Sequence, residues 1–346
     1  MTPKPPLWSV KLRAVIIISG AVLCPVLVSE YYTSLAEHHL SLVTPLAEAT
    51  ALPGLQGDFQ PIQWCFRYLA GLRVWQVVNA AAFCPNVWAV SSGGRIDSRY
   101  ANTNGVPPSD EYRSLVTPSG WAFAIWGVIY LTESIFTVVQ LLPSMTDVTW
   151  LLDVSPWWVA ANIYQSLWCA AFRDWARPSG VFWISAALLT ATAIALAGAE
   201  AVVTGPSVGT GSWTAVGQRV LAQMPLSLHF GWVTAASLVN WNSFFAVLYR
   251  DAHISLRTQI WLAFASLHLA YIVGSIVAVV RMDFLYSLTL AWALTAIKTD
   301  KGRRAQGLVE QKVLDSLSGT AGFGAMLCAC ISVCVFARAS YTTLYY

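Results

Sequence analysis

The sequence predicts an all-α protein, a polytopic membrane bundle of about nine transmembrane helices. Three observations carry that prediction. Hydrophobic residues make up 56% of the chain and charged ones 11%, against roughly 25% charged in soluble domains; the mean hydropathy is +0.57. Apolar runs of near-membrane length alternate with polar segments rich in proline and glycine. The twenty lysines and arginines then sort about three to one onto alternate sides of nine such runs, as the positive-inside rule requires of a real topology. The N-terminus falls on the basic side, facing cytosol, stroma or matrix.

Taken in order, residues 1–32 pair a basic stretch (Lys4, Lys11, Arg13) with the apolar run 14–28, read as a retained signal anchor rather than a cleaved signal peptide. Residues 33–73 mix polar groups with prolines and glycines, an extramembrane connection with one short surface helix over 38–51. Spans follow at 74–90, 118–142, 157–172, 180–203, 225–249, 260–280, 282–297 and 319–337. Between the first two of these lies the turn-rich loop 91–116. Within 319–325 a run of small residues suits close helix contact. The basic segment 298–318 suits solvent or anionic headgroups equally.

Several classes are excluded or weakened. A net charge of +3 without a basic, aromatic-interleaved stripe argues against nucleic acid. Seven cysteines show no metal spacing and sit mostly in apolar runs, as small hydrophobes do. No nucleotide loop, zinc-protease motif, nucleophile elbow or redox Cys-x-x-Cys occurs, so an enzyme is not expected.

The most informative stretch runs from Thr117 to Glu133. Thr117 suits a helix cap and Pro118 the first helical position. Trp126, Tyr130 and Glu133 then share one stripe at spacings of four and three. A carboxylate in an apolar helix is costly, so the stripe is expected to face protein, water or a ligand. On 225–249, His229, Trp232, Ala236 and Asn240 share a face; on 157–172, Asn162 and Gln165 do, with Trp168 beside them; Asn79 lies at comparable depth. Arg281 and Asp283 read as a pair holding a short turn. Of seventeen tryptophans, Trp8, Trp64, Trp75, Trp150, Trp157 and Trp213 fit bilayer interfaces, whereas Trp126, Trp168 and Trp232 lie inside apolar runs.

These residues resemble the tryptophan-rich sensory protein or translocator (TspO/MBR) family, in its longer form with three added C-terminal helices. The resemblance rests on Pro118, Trp126 and Tyr130 in the second core helix, Trp168 and Phe172 in the third, and Pro225, Trp232 and Asn240 in the fifth. Asn79, Asp97 and Tyr100 in the first helix and loop, and the Asp283–Tyr286 and Trp292–Leu294 runs, agree in order. Two departures stand out: Ala124-Ile125 replaces Gly-Pro before the helix-two tryptophan, and the third helix lacks the family's Asn-Trp-x-Trp-Pro.

The resemblance implies a five-helix core over 74–250, three further transmembrane helices and a tail over 251–346, and a pocket for tetrapyrroles or sterol-like molecules. Its expected lining is Asn79, Phe123, Trp126, Tyr130, Glu133, Asn162, Gln165, Trp168, Trp232, Ala236 and Asn240. The ligand could be a porphyrin, haem, a chlorophyll-like pigment or lipid, for binding, sensing or transport. Interhelical packing explains the same residues without a ligand. Glu133 is either a ligand- or proton-handling carboxylate or a hydrogen-bonded acid, and His229 is a weak haem-iron candidate. The alternative function is an accessory subunit of a respiratory or photosynthetic membrane complex. A homodimer and contacts with membrane lipids stay open, and a porphyrin-degrading enzyme is a distant third reading.

Overall fold

The structure is a computed structural model and describes residues 7–38, 72–96, 114–176, 179–205 and 213–345. Expectations for the surface helix beyond His38, for Asp97 and Tyr100, and for most of the loop 91–116 fall outside those residues. Among the described residues there are nine α-helices and no strand: α1 (Leu7–His38), α2 (Val74–Ser91), α3 (Ile125–Gln140), α4 (Thr149–Ala171), α5 (Ser179–Thr204), α6 (Trp213–Arg250), α7 (Leu256–Arg281), α8 (Phe284–Asp300) and α9 (Gln311–Tyr345).

Among the described residues five segments are long and apolar enough to cross a membrane: Ser9–Val28, Gly120–Gln140, Gly180–Thr204, Leu256–Arg281 and Gln311–Tyr341. The chain is an integral membrane protein on that evidence. The other four helices differ for a physical reason. Helix α8 has only 17 residues, while α2, α4 and α6 carry buried amides such as Gln76, Asn79, Asn162, Gln165 and Asn240, which lower their apolarity.

Several helices start earlier than their apolar runs. Helix α4 begins at Thr149, with Pro156 inside it, and α6 begins at Trp213, with Pro225 inside it. A proline removes one backbone donor and disturbs one turn, which a packed neighbour can tolerate.

The stretch before α3 corrects a second expectation. Thr117 does not cap: its hydroxyl is buried without a partner. Residues Gly120–Ala124 form a 3₁₀ turn leading into α3. That turn is anchored to α8 instead, through Ser119 N–H donating to the Ala296 carbonyl at 3.0 Å and the Trp292 indole donating to Ala122 at 3.1 Å.

Packing places α5 between α4 and α6, α2 against α4, and α3 against α6 and α2. Helix α8 lies on the other side of α6 with α9 and α7 around it, and α1 lies along α4. Glycines set two of these approaches. A Cβ on Gly231 of α6 would sit 2.8 Å from Thr289 and 2.9 Å from the Tyr286 carbonyl of α8. One on Gly198 of α5 would sit 2.4 Å from the Trp157 ring of α4.

The turn between α7 and α8 overturns the expected Arg281–Asp283 pair. Arg281 reaches across to α5, where it bonds the buried Glu200 carboxylate and the Ala197 carbonyl at 2.8 Å. Asp283 is the N-cap of α8, accepting from the Tyr286 N–H at 3.1 Å. Met282 between them takes a left-handed conformation, φ 55°, and the two side chains meet through Glu200, which contacts both, rather than directly.

Candidate functional site

The aromatic centre lies where α3, α4, α6 and α8 meet. Helical periodicity on α3 stacks Trp126 against Tyr130, with ring centroids 5.6 Å apart. Trp232 of α6 meets Trp126 edge-on at 6.0 Å and Phe123 edge-on at 5.7 Å. From α4, Trp168 stacks on Phe172 at 5.5 Å and donates its indole N–H to Asn240 at 3.3 Å. The Arg95 guanidinium lies over the Trp168 ring, 5.4 Å from its centroid, close enough for a cation–π contact.

These side chains, apart from Arg95 and the expected Tyr130, which lie behind them, wall a cavity of about 50 Å³. Its lining includes Phe123, Trp126, Trp168, Trp232, Ala236 and Asn240 of the expected set. It also includes Thr117, Pro118, Phe172, Ala235, Val239, Ser243, Ala293 and Ile297, which reasoning from single-helix stripes missed. Ala293 and Ile297 come from α8, and no spacing within one helix predicts a neighbour supplied by another. Three polar groups of lining residues have no protein partner, the indole N–H groups of Trp126 and Trp232 and the Thr117 hydroxyl, and all three are buried rather than open to the cavity. Buried donors are nearly always satisfied by protein or water, so these three would gain a ligand acceptor only where the wall opens.

The remaining expected residues lie elsewhere. Glu133 and His229 face each other across α3 and α6, Oε1 to Nδ1 at 2.7 Å, both essentially buried. Glu133 Oε2 and His229 Nε2 have no further partner. The pair sits behind the cavity wall, with Trp126 5.7 Å and Tyr130 6.4 Å from the imidazole. His229 does not line the cavity. Among the described residues there is no group of three or more His, Cys, Asp or Glu able to hold a metal.

Asn79, Asn162 and Gln165 belong to a polar seam joining α2, α3 and α4. The Asn79 amide donates to Gln140 at 3.0 Å and to Ser155 at 2.8 Å. The Asn86 amide donates to Asn162 at 2.8 Å and to Gln165 at 2.9 Å. The Trp158 indole closes the seam on the Asn79 carbonyl at 3.2 Å. Asn86, Gln140 and Ser155 were not singled out from sequence, although amides inside an apolar run are a legible signal for such a seam.

The volume limits what the cavity holds as it stands. Sites for drug-sized ligands span roughly 300–1,000 Å³, so about 50 Å³ admits a few waters, not a tetrapyrrole. The wall chemistry suits a flat ring with acceptors on its rim, since indole faces stack and indole N–H groups donate. A ring of that size requires the wall to open.

The fold and centre define a class: a membrane helix bundle with a tryptophan-walled core cavity. The family model for TSPO-like proteins matches residues 77–334. The chain belongs to the TspO-like family. No curated protein and no solved structure matches it.

Proposed function

We propose that this protein binds a flat hydrophobic molecule of the tetrapyrrole class in its core cavity, for sensing or transport, and that binding requires the wall to open. The observation carrying this reading is the set of indoles, Trp126, Trp168 and Trp232, that lines one mostly apolar cavity, with the Trp126 and Trp232 N–H groups and the Thr117 hydroxyl buried without a partner. Three unsatisfied groups each cost about 1–3 kcal/mol, and a ligand rim or ordered water offsets that cost. Titrating the purified chain with protoporphyrin while following tryptophan fluorescence tests it. Saturable quenching is expected, weakened roughly two- to tenfold in Trp126→Ala and Trp232→Ala, the range of a lost aromatic contact. Quenching that rises linearly without saturation, or is equal in all three proteins, sinks the reading.

A second reading, an accessory subunit of a larger membrane assembly, is favoured by the small size of the cavity. Here the same tryptophans are packing. Gentle extraction from the native membrane, followed by an absorption spectrum and intact mass, separates the two. A pigment band travelling with this single chain supports binding. A colourless particle with stoichiometric partner chains supports assembly.

A further inference from the structure

A second, larger concavity lies on the outside of the bundle, on a different face of α3 and α8 from the core cavity. It is a groove of about 690 Å³ between α3, α6, α8 and α9, with Val128, Leu288, Trp292, Met326 and Ala329 among its walls and Lys298 at one end. Its neutral polar groups are already used. Thr289 and Thr295 bond back to their own helix at 2.8 and 2.7 Å, and the Trp292 indole is taken by Ala122. The groove therefore presents hydrocarbon along its length and one charge at its mouth.

The position of that charge is built. Gly322 of α9 has no side chain, and the Lys298 stem occupies the space: a Cβ there would meet Lys298 Cδ at 2.9 Å, Cε at 3.2 Å and Nζ at 3.4 Å. The amine is thus laid over the mouth of the groove. Lys298 is the single charged lining residue, and no carboxylate pairs with it among the described residues.

From Lys298 to Leu288 the groove follows ten residues of α8, roughly 15 Å at the helical rise. That is about half the ~30 Å hydrocarbon core of a bilayer, the depth of one leaflet. We infer that this groove is a binding site for an anionic phospholipid, with an acyl chain along α8 and α9 and the phosphate at Lys298. The site rests on different residues from the proposed ligand cavity, so either can fail without the other.

Native mass spectrometry of the full chain, offered phosphatidylglycerol and phosphatidylcholine of identical acyl chains, tests this. Wild type is expected to retain phosphatidylglycerol preferentially. Lys298→Ala, an exposed substitution, should reduce that preference about fivefold, as for one interfacial lysine, while Lys298→Arg keeps it and the control Lys312→Ala leaves it unchanged. Ala329→Trp, filling the deep end, should lower retention of both lipids. An unchanged preference in Lys298→Ala overturns the inference, as does displacement of the lipid by millimolar inorganic phosphate alone.

Discussion

Glu133 and His229 are 96 residues apart in sequence and touch only because α3 and α6 pack together. From sequence, Glu133 stood equally as a ligand-handling or a hydrogen-bonded acid; its 2.7 Å contact with His229 gives it a protein partner, while Oε2 stays unpaired. Removing one partner strands the other in an apolar interior. Glu133→Leu is expected to destabilise the folded protein by about 1–3 kcal/mol, read as a lowered midpoint of thermal unfolding in detergent. Adding His229→Leu should recover part of that loss, because no orphaned imidazole remains. A double variant less stable than the sum of the two singles counts against the pairing. What a helix stripe shows, and what it hides, is clear here. Trp232, Ala236 and Asn240 share a cavity wall as their spacing suggests, whereas His229 on the same stripe turns to α3.

Helix contacts follow side-chain size more than polarity. Gly231 allows α6 and α8 to meet at backbone distance, and Gly231→Leu should cost about 1–3 kcal/mol by overpacking. Gly127→Ala on α3, where nothing lies within 4 Å, should leave the unfolding midpoint unchanged or slightly raised. Equal effects of the two substitutions would contradict this account of the α6–α8 contact. The positions of most helices were legible because apolar runs are long and their separators polar. Their ends were not, since α4 and α6 begin at Thr149 and Trp213, ahead of the runs expected from 157 and 225, with Pro156 and Pro225 inside them. Thr117 likewise read as a cap, but α8 anchors the start of α3 instead. Which helices are neighbours depends on surfaces that no single run displays.

For the molecule as a whole, the distribution of basic residues predicts that 298–318 and the turn between α3 and α4 lie on opposite faces of the membrane. Cysteines placed at Lys312 and Asp147, in a background with the exposed native cysteines replaced, should react with an impermeant maleimide from opposite sides. Labelling of both from one side would overturn the nine-span arrangement. Fold class and family were readable from composition and from the Thr117–Glu133 run, but the small volume of the core cavity was not. That volume follows from how far indoles on three helices interpenetrate, a property of the packed bundle alone.

The seam of amides joining α2, α3 and α4 has a consequence for biogenesis. Helices α2 and α4, unlike α3, are not apolar enough to count as spans, because between them they carry most of the seam's amides. Leaving the insertion machinery alone, either would bring unpaired amides into lipid at a cost of several kcal/mol. The chain is therefore expected to hold α2 at the translocon until α4 has been synthesised and can receive Asn79 and Asn86. In a nascent chain stopped before Thr149, α2 would then still crosslink to the translocon, while in one stopped beyond Ala171 it would crosslink to lipid instead.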